Sequence, residues 1–502
     1  MSIPEFATPE KTLEYAPHLQ LNNSADAYRR LGRTDLTVSA IGFGTYRCHA
    51  EAPEHKAALK TALQKGCNLI DASANYTDGM AEVLIGDVLN EEIVWNGKPR
   101  EQYVVVSKAG YIQGENYAIA QNREREENPF PEVVKYQNGL WHCIHPAFIE
   151  DQITRSLSRM HLDTLDIYLL HNPEYFLMHA RQQGVDPQAA EKQFYNRVRR
   201  AFSAMEKLVS EGLIRWYGIS SNSLPLPGDH PHHVSLAKVW AAYEDACLQR
   251  GISPEKGHFA VIQLPFNLLE NSAATLQNNT FRGESFSTLA LAKKLDLGVL
   301  INRPLNAIRD NRLIRLARYG AADGVDYQRE FEQKIELLER AEEDLVSYIA
   351  RSHISFKIEG KPLREFLQIS PRLRQLTRQL MDVSQYKEVV AHYISPMMAA
   401  GQKMLLNRVD EAEKPMVAPL LQQFFDQFAG AADAWILYLD AQNYRQLREL
   451  EDAFDRENPE LSQLTLSQKA LLSAIRTPGI DVALNGMRTP AYVEDSMAIL
   501  RV

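Results

Sequence analysis

The sequence predicts an α/β protein, a (β/α)8 barrel interrupted by an inserted all-α domain. Two observations carry this. Short β-rich runs alternate with helical patterns over most of the chain, which implies parallel strands joined by crossover helices. A long stretch before the last strand then loses that rhythm and shows only helical periodicity. The 502 residues leave room for one barrel of about 250 residues or more and a second module.

Residues 1–27 carry Pro4, Pro9 and Pro17 and the run Asn22-Asn23-Ser24, and read as a surface tail. Residues 29–39 read as a β-hairpin turning at Gly32. The strand candidates that follow are 38–45, 67–71, 103–108, 165–171, 214–220, 260–263, 298–302 and, far downstream, 481–484. Helical patterns lie between them at 54–65, 146–160, 190–211, 234–250 and 288–295. Eight strands favour a closed barrel over an open doubly wound sheet, and no G-x-G-x-x-G follows the first strand. The barrel is therefore expected over residues 28–308 and 465–502, with the helical insert at 309–464. In the insert, Phe331, Ile335, Leu338, Leu345, Tyr348 and Ile349 lie on one helical stripe, and residues 415–428 and 432–447 read as two further helices. No strand is expected there. Thr465-Leu-Ser-Gln468 is a capping box opening the helix before the last strand.

Asp71, Lys108, His171, Ser220, Gln263 and Asn302 stand at the ends of six of the strands. In a barrel those ends converge on one face, where active sites are built. Residues 110–144 form a long loop on that face, in which Tyr111 and Trp141 are candidates for lining a substrate pocket. Composition narrows the classes. Net charge is −9, so a nucleic-acid surface is not expected. The four cysteines include no C-x-x-C pair, and neither His142-Cys-Ile-His145 nor the histidines at 230, 232 and 233 make a complete ligand set, so no metal is expected. No apolar run reaches the roughly 18 residues of a membrane span, and the first residues lack the features of a secretion or transit signal. A cytoplasmic protein is the expectation.

The motifs Gly42-Phe-Gly-Thr-Tyr46, Asn68-Leu-Ile-Asp71-Ala-Ser-Ala-Asn-Tyr76, Ser107-Lys108, Asp166-Ile-Tyr-Leu-Leu-His171 and Gly218-Ile-Ser-Ser-Asn222, in that order, resemble the aldo-keto reductase family. The resemblance runs through residues 28–306 and resumes at 465–500. It implies NADPH-dependent reduction of an aldehyde, ketone or sugar-like carbonyl, or the reverse oxidation of an alcohol. The catalytic tetrad would be Asp71, Tyr76, Lys108 and His171, with Tyr76 as general acid. Its free pKa, near 10, would need lowering by the Lys108 ammonium. Asp71 would pair with Lys108, and His171 would orient the substrate oxygen.

By the same resemblance, Gly44, Thr45 and Tyr46 at the first strand end would bind the cofactor, and Ser221 (or Ser220), Asn222 and Gln263 would hold its nicotinamide. Asn302 stands where many members carry a stacking aromatic, and Arg303 is a candidate pyrophosphate contact. Gly486 and Arg488 would meet the adenosine phosphate. The guanidinium favours NADP, while Tyr492 and Ser496 keep NAD open. The expected partner is a small carbonyl or alcohol. The alternative is a cofactor-binding regulatory subunit of the same fold, with the helical insert as its partner-binding module. In the enzyme, the insert is expected as a lid shaping substrate entry, or else as a surface for a protein partner or self-association.

Overall fold

The computed structural model describes residues 3, 5–15, 27–309, 312–318, 320–322, 324–352, 357–358, 361–377, 379 and 383–501. Eight strands close into one barrel in sequence order. They are β1 (Ile41–Gly44), β2 (Leu69–Asp71), β3 (Val104–Ala109), β4 (Leu165–His171), β5 (Ile214–Ser220), β6 (Phe259–Pro265), β7 (Gly298–Asn302) and β8 (Val482–Asn485). All eight pairings are parallel, the last joining β8 to β1 through Asn485 and Phe43. Every residue of β3, β4 and β6 is buried, as expected of parallel strands covered on the inside by each other and on the outside by helices.

The interior is filled by Leu69, Val104, Val106, Ile167, Leu169, Val261, Leu300, Val482 and Leu484. Leu31, Leu36 and Val38, from a hairpin in which Tyr28–Arg30 pairs with Thr37–Ser39, join the same core. Gly32 at its turn has φ 45°, and a Cβ there would stand 2.2 Å from the Gly298 nitrogen, so only glycine lets the hairpin approach β7. Gly218 in β5 is equally restricted, since a Cβ would meet the Val261 carbonyl oxygen at 1.7 Å. The outer layer includes the helices Pro53–Gln64, Met80–Asn90, Pro146–Met160, Pro187–Ser210, Leu236–Gln249, Thr288–Lys294 and Leu466–Arg476.

Three departures from the sequence reading have physical causes. Residues 5–15, read as part of a loose tail, are anchored: Asp166 accepts the Ala7 N–H while pairing with buried Arg100 at 2.7 Å. The short helix Pro9–Tyr15 ends with the Tyr15 hydroxyl donating to the Leu63 carbonyl. The segment after β3 builds a three-stranded antiparallel sheet (Tyr111–Ile112, Val134–Gln137, Leu140–His142) and a helix, Gly114–Arg125. Finally, the two helices expected at 415–428 and 432–447 are one helix of 44 residues, Lys414–Glu457. Gly430, which lies in the gap between the two, costs a helix only about 1 kcal/mol, so the helix runs through it.

The chain divides into two compact units, residues 1–307 with 467–502 and residues 308–466. The second has a core of its own, in which Phe331, Ile335, Leu338 and Leu345 of the helix Tyr327–Arg351 pack with Val417, Phe424 and Trp435 of the long helix. It also holds short strands at Arg312–Arg315, Lys357–Ile358 and Lys361–Pro362, which the sequence reading did not expect. Among the described residues no helix is long and apolar enough to cross a membrane.

Candidate active site

Three neighbouring strands, β2, β3 and β4, deliver a buried polar cluster. Asp71 ends β2, Lys108 lies in β3 and His171 ends β4. Tyr76 follows β2 by a tight turn in which Thr77 and Asp78 both adopt the left-handed region, φ 47° and 56°. Such backbone is costly for residues with a Cβ and is held here by neighbours. The Thr77 hydroxyl donates to the Cys48 carbonyl, and Asp78 accepts from the Glu115 N–H.

Lys108 is fully buried, and its Nζ has three partners. It lies 2.7 Å from Asp71 Oδ2, 2.7 Å from the Ala72 carbonyl and 3.2 Å from the Tyr76 hydroxyl. The second Asp71 oxygen accepts from Gln263 Nε2 at 2.8 Å, and Ser220 donates to Gln263 Oε1. Burial pushes the Asp71 carboxyl up and the Lys108 amine down, and each charge opposes the other's shift. These contacts satisfy both ions, and removing one partner from such a pair typically costs about 3–5 kcal/mol.

The expected lowering of the Tyr76 pKa is not what the geometry gives. Burial raises it well above 10, and the negative charge of Asp71 adds to the rise. The ammonium reaches Tyr76 already paired with Asp71, so its field is largely cancelled there. His171 is drawn well below 6.5 by burial, with Lys108 adding repulsion, so the ring is neutral at pH 7. Its Nδ1 lies 3.0 Å from Ser73 Oγ.

The walls around His171 are aromatic. The Tyr111 ring meets the imidazole edge-on at 4.7 Å, and the Tyr46 ring meets Tyr76 at 5.3 Å. Tyr46 is 59% exposed. Trp141, the other expected pocket residue, packs instead in the small core of the segment after β3, against Tyr117 and under Lys135. The His142-Cys-Ile-His145 group is likewise structural. His142 Nε2 bonds the His171 carbonyl oxygen, Cys143 is buried, and His145 caps the next helix. No group of residues suited to a metal occurs among the described residues.

The remaining expected positions spread around the same strand ends. Gly44 is in register with Asp71, and the Thr45 hydroxyl donates to the Asp71 carbonyl. Ser221 is buried and Asn222 exposed, and the Asn222 N–H donates to Glu174 Oε1. Asn302 Oδ1 and Arg303 Nε are buried with no hydrogen-bond partner among the described residues. Arg303 has φ 56° and pairs with Glu270. Gly486 is exposed, and half-buried Arg488 lies near enough to His55 and Cys48 to shift both. The Ser496 hydroxyl is taken by Asn485 and the Tyr492 carbonyl.

Two residues at this face were not singled out from sequence. Ser73 touches His171, and Glu174 is a buried carboxylic acid pushed up to about 7 by desolvation. A serine within a turn and a glutamate three residues beyond a strand both read as ordinary loop polarity. Only the Asp71-to-Tyr76 motif around Ser73 hinted at more.

Residues 40–226 match the model described as the aldo/keto reductase family. The NADH-specific methylglyoxal reductase of Escherichia coli (strain K12) is 29% identical over 255 residues, covering 49% of this chain and 68% of that protein. Aldo-keto reductase family 1 member A1 of Sus scrofa is 30% identical over 196 residues, 38% of this chain and 48% of that one. The chain thus spans about half the length of that relative. A solved aldo-keto reductase from Klebsiella pneumoniae in complex with NADPH aligns over 95% of this chain and 89% of that one, at 17% identity and a TM-score of 0.41.

Proposed function

We propose, from the match of residues 40–226 to the aldo/keto reductase family model and the likeness to its reductases, that this chain is an NAD(P)H-dependent oxidoreductase of that family. It would reduce an aldehyde, ketone or sugar-like carbonyl to the alcohol, or run the reverse, with Tyr76 as general acid. The observation that carries this reading is the placement of one ammonium, Lys108 Nζ, within hydrogen-bond reach of both Asp71 and the Tyr76 hydroxyl, beside a neutral His171.

The residues at the mouth fit a phosphorylated dinucleotide. Asn302 Oδ1 and Arg303 Nε are buried polar atoms lacking a partner among the described residues, and half-buried Arg488 offers a guanidinium with no carboxylate partner among them. Asn302, Arg303 and Arg488 would hold it, with Asn222 at the nicotinamide end. When bound, the reduced cofactor supplies a hydride to the carbonyl carbon. Arg488 favours NADP, and NAD is the second candidate because a relative carries the description NADH-specific.

Hydride addition builds negative charge on the substrate oxygen. Tyr76 keeps its proton until then, because burial disfavours the tyrosinate. An alkoxide is a much stronger base than a phenolate, so the proton moves from the Tyr76 hydroxyl to the substrate oxygen as that charge appears. Lys108 Nζ, 3.2 Å away, stabilises the tyrosinate left behind. Asp71 keeps the ammonium in place and the buried cluster close to neutral. His171 orients the substrate oxygen against Tyr76.

The test is oxidation of NADPH and of NADH by the full chain over a panel of aldehydes, ketones and reducing sugars. Turnover with one class supports the reading. Tight cofactor binding without turnover across the panel would assign the chain to the cofactor-binding regulatory role instead.

A further inference from the structure

A neutral imidazole carries one proton, so its two nitrogens do opposite things, one donating and the other accepting. At His171 the two nitrogens face different surroundings. Nε2 makes no hydrogen bond to a described residue, whereas Nδ1 lies 3.0 Å from the hydroxyl of Ser73, which is itself buried. That hydroxyl has one proton and two strong acceptors in reach, His171 Nδ1 and, at 2.7 Å, Asn75 Oδ1. The Lys108 carbonyl lies further off, at 3.5 Å. The Asn75 amide is oriented in turn by Gln113, whose Oε1 accepts from Asn75 Nδ2 at 3.0 Å.

Two arrangements satisfy this chain. In one, Ser73 donates to Asn75 and accepts from a proton on His171 Nδ1. Nε2 is then bare and presents a lone pair to the substrate. In the other, Ser73 donates to Nδ1 and the ring proton sits on Nε2. Only the second gives a carbonyl oxygen a donor as negative charge develops on it, and the first sets a lone pair against that charge. The second is also inexpensive, because Asn75 is only half-buried and water can replace the serine at its Oδ1.

We propose that Ser73 is a positioning residue that selects the tautomer of His171: it donates its hydroxyl proton to Nδ1, so that Nε2–H points at the substrate oxygen. The assignment rests on the reading of this site as a carbonyl reductase. It adds to that reading a residue which never touches the substrate.

The experiment uses the full chain with 15N-labelled histidine, with and without NADP+. The nitrogen shifts of His171, identified by their loss in His171→Gln, report which ring atom carries the proton. The expected wild-type result is protonation at Nε2. Asn75→Asp places an anionic acceptor beside Ser73 and should pull the serine proton away. The ring proton then moves to Nδ1, and kcat for carbonyl reduction falls by roughly a hundredfold while the dissociation constant for NADPH changes by less than about threefold. Ser73→Ala should remove the tautomer preference with a similar loss in kcat, and Ser73→Thr should restore both. A wild-type ring protonated at Nδ1, or a tautomer unchanged in Ser73→Ala, overturns the proposal. If the tautomer responds as described while no carbonyl is turned over by any form, the tautomer assignment stands and the reductase reading is what fails.

Discussion

Gln263 on β6 reaches across the barrel to Asp71 on β2, the strand opposite it, and donates Nε2–H to Oδ1 at 2.8 Å. The carboxylate is thus held from two sides, by a neighbouring strand through Lys108 and by the opposite wall through Gln263. Gln263 was expected to serve the nicotinamide. Its amide is a strut for the Asp71 carboxylate. Replacing it with Leu leaves Asp71 Oδ1 and the Ser220 hydroxyl without a partner. Gln263→Leu should therefore lose about 1–3 kcal/mol of stability by urea denaturation. A midpoint and slope equal to wild type would show that the strut contributes nothing.

Tyr76→Phe keeps the ring contacts with Tyr46 and His171 and removes only the hydroxyl. Carbonyl reduction should fall by about 10² to 10⁴, the usual cost of losing a general acid. NADPH affinity, measured by fluorescence titration, should stay within about threefold. Substantial residual turnover would take Tyr76 out of the mechanism.

Glu174 gives a pH dependence whose sign follows from its burial. Its carboxyl is pushed from 4.5 up to about 7 in the fold. Between those values the folded state holds a proton that the unfolded state has lost, so stability declines as pH rises through that window and levels off above it. At pH 8 the ionised, buried carboxylate costs on the order of 3 kcal/mol. Glu174→Gln retains an oxygen for the Asn222 N–H and cannot ionise. It should be more stable than wild type at pH 8, with the difference vanishing near pH 4. Parallel stability curves for the two proteins would contradict this.

Arg488→Ala should weaken NADPH binding by roughly tenfold or more, the worth of a charge-assisted contact, and leave NADH binding nearly unchanged. Calorimetric titration of both cofactors reads the difference directly. Equal affinities for the two in the wild type would remove Arg488 from cofactor choice.

The helical unit has a core of its own, so its removal is a fair test of its role. A Gly/Ser linker in place of residues 310–462 should change KM across a size-graded carbonyl panel, with NADPH binding retained, if the unit shapes substrate choice. Unchanged kinetics with an altered molar mass by light scattering would assign it to association.

The barrel was legible because strands buried on both faces read as unbroken apolar runs, and polar residues at their ends mark one face. Asp71, Lys108 and His171 were found that way, and the family resemblance brought in Tyr76. What escaped depends on contacts that no local pattern encodes. The effect of Lys108 on Tyr76 was misjudged because spacing reveals the cation but not how completely Asp71 cancels it. Trp141 reads as a pocket aromatic by its position after β3, yet a small sheet folds it into its own core. Ser73 gains its meaning only from His171, 98 residues away. The continuity of Lys414–Glu457 across residues 429–431 was not read from sequence either, since a glycine such as Gly430 is tolerated in a packed helix at a cost of only about 1 kcal/mol.

The order in which strands leave the ribosome gives the late position of β8 a kinetic meaning. β7 ends at Asn302, and β8, which must pair with both β7 and β1, begins at Val482. At about 5–20 residues per second, synthesis of the intervening chain occupies roughly ten to forty seconds. Through that interval seven strands have been made and two edges have no partner, while the chain being added is residues 308–466, which build a core of their own. The nascent sheet is open to pairing with other chains for all of that time. Closure then joins residues more than 400 positions apart, the slowest kind of contact for a chain to find. Slowing translation lengthens the exposure, and the yield of native protein should fall with it.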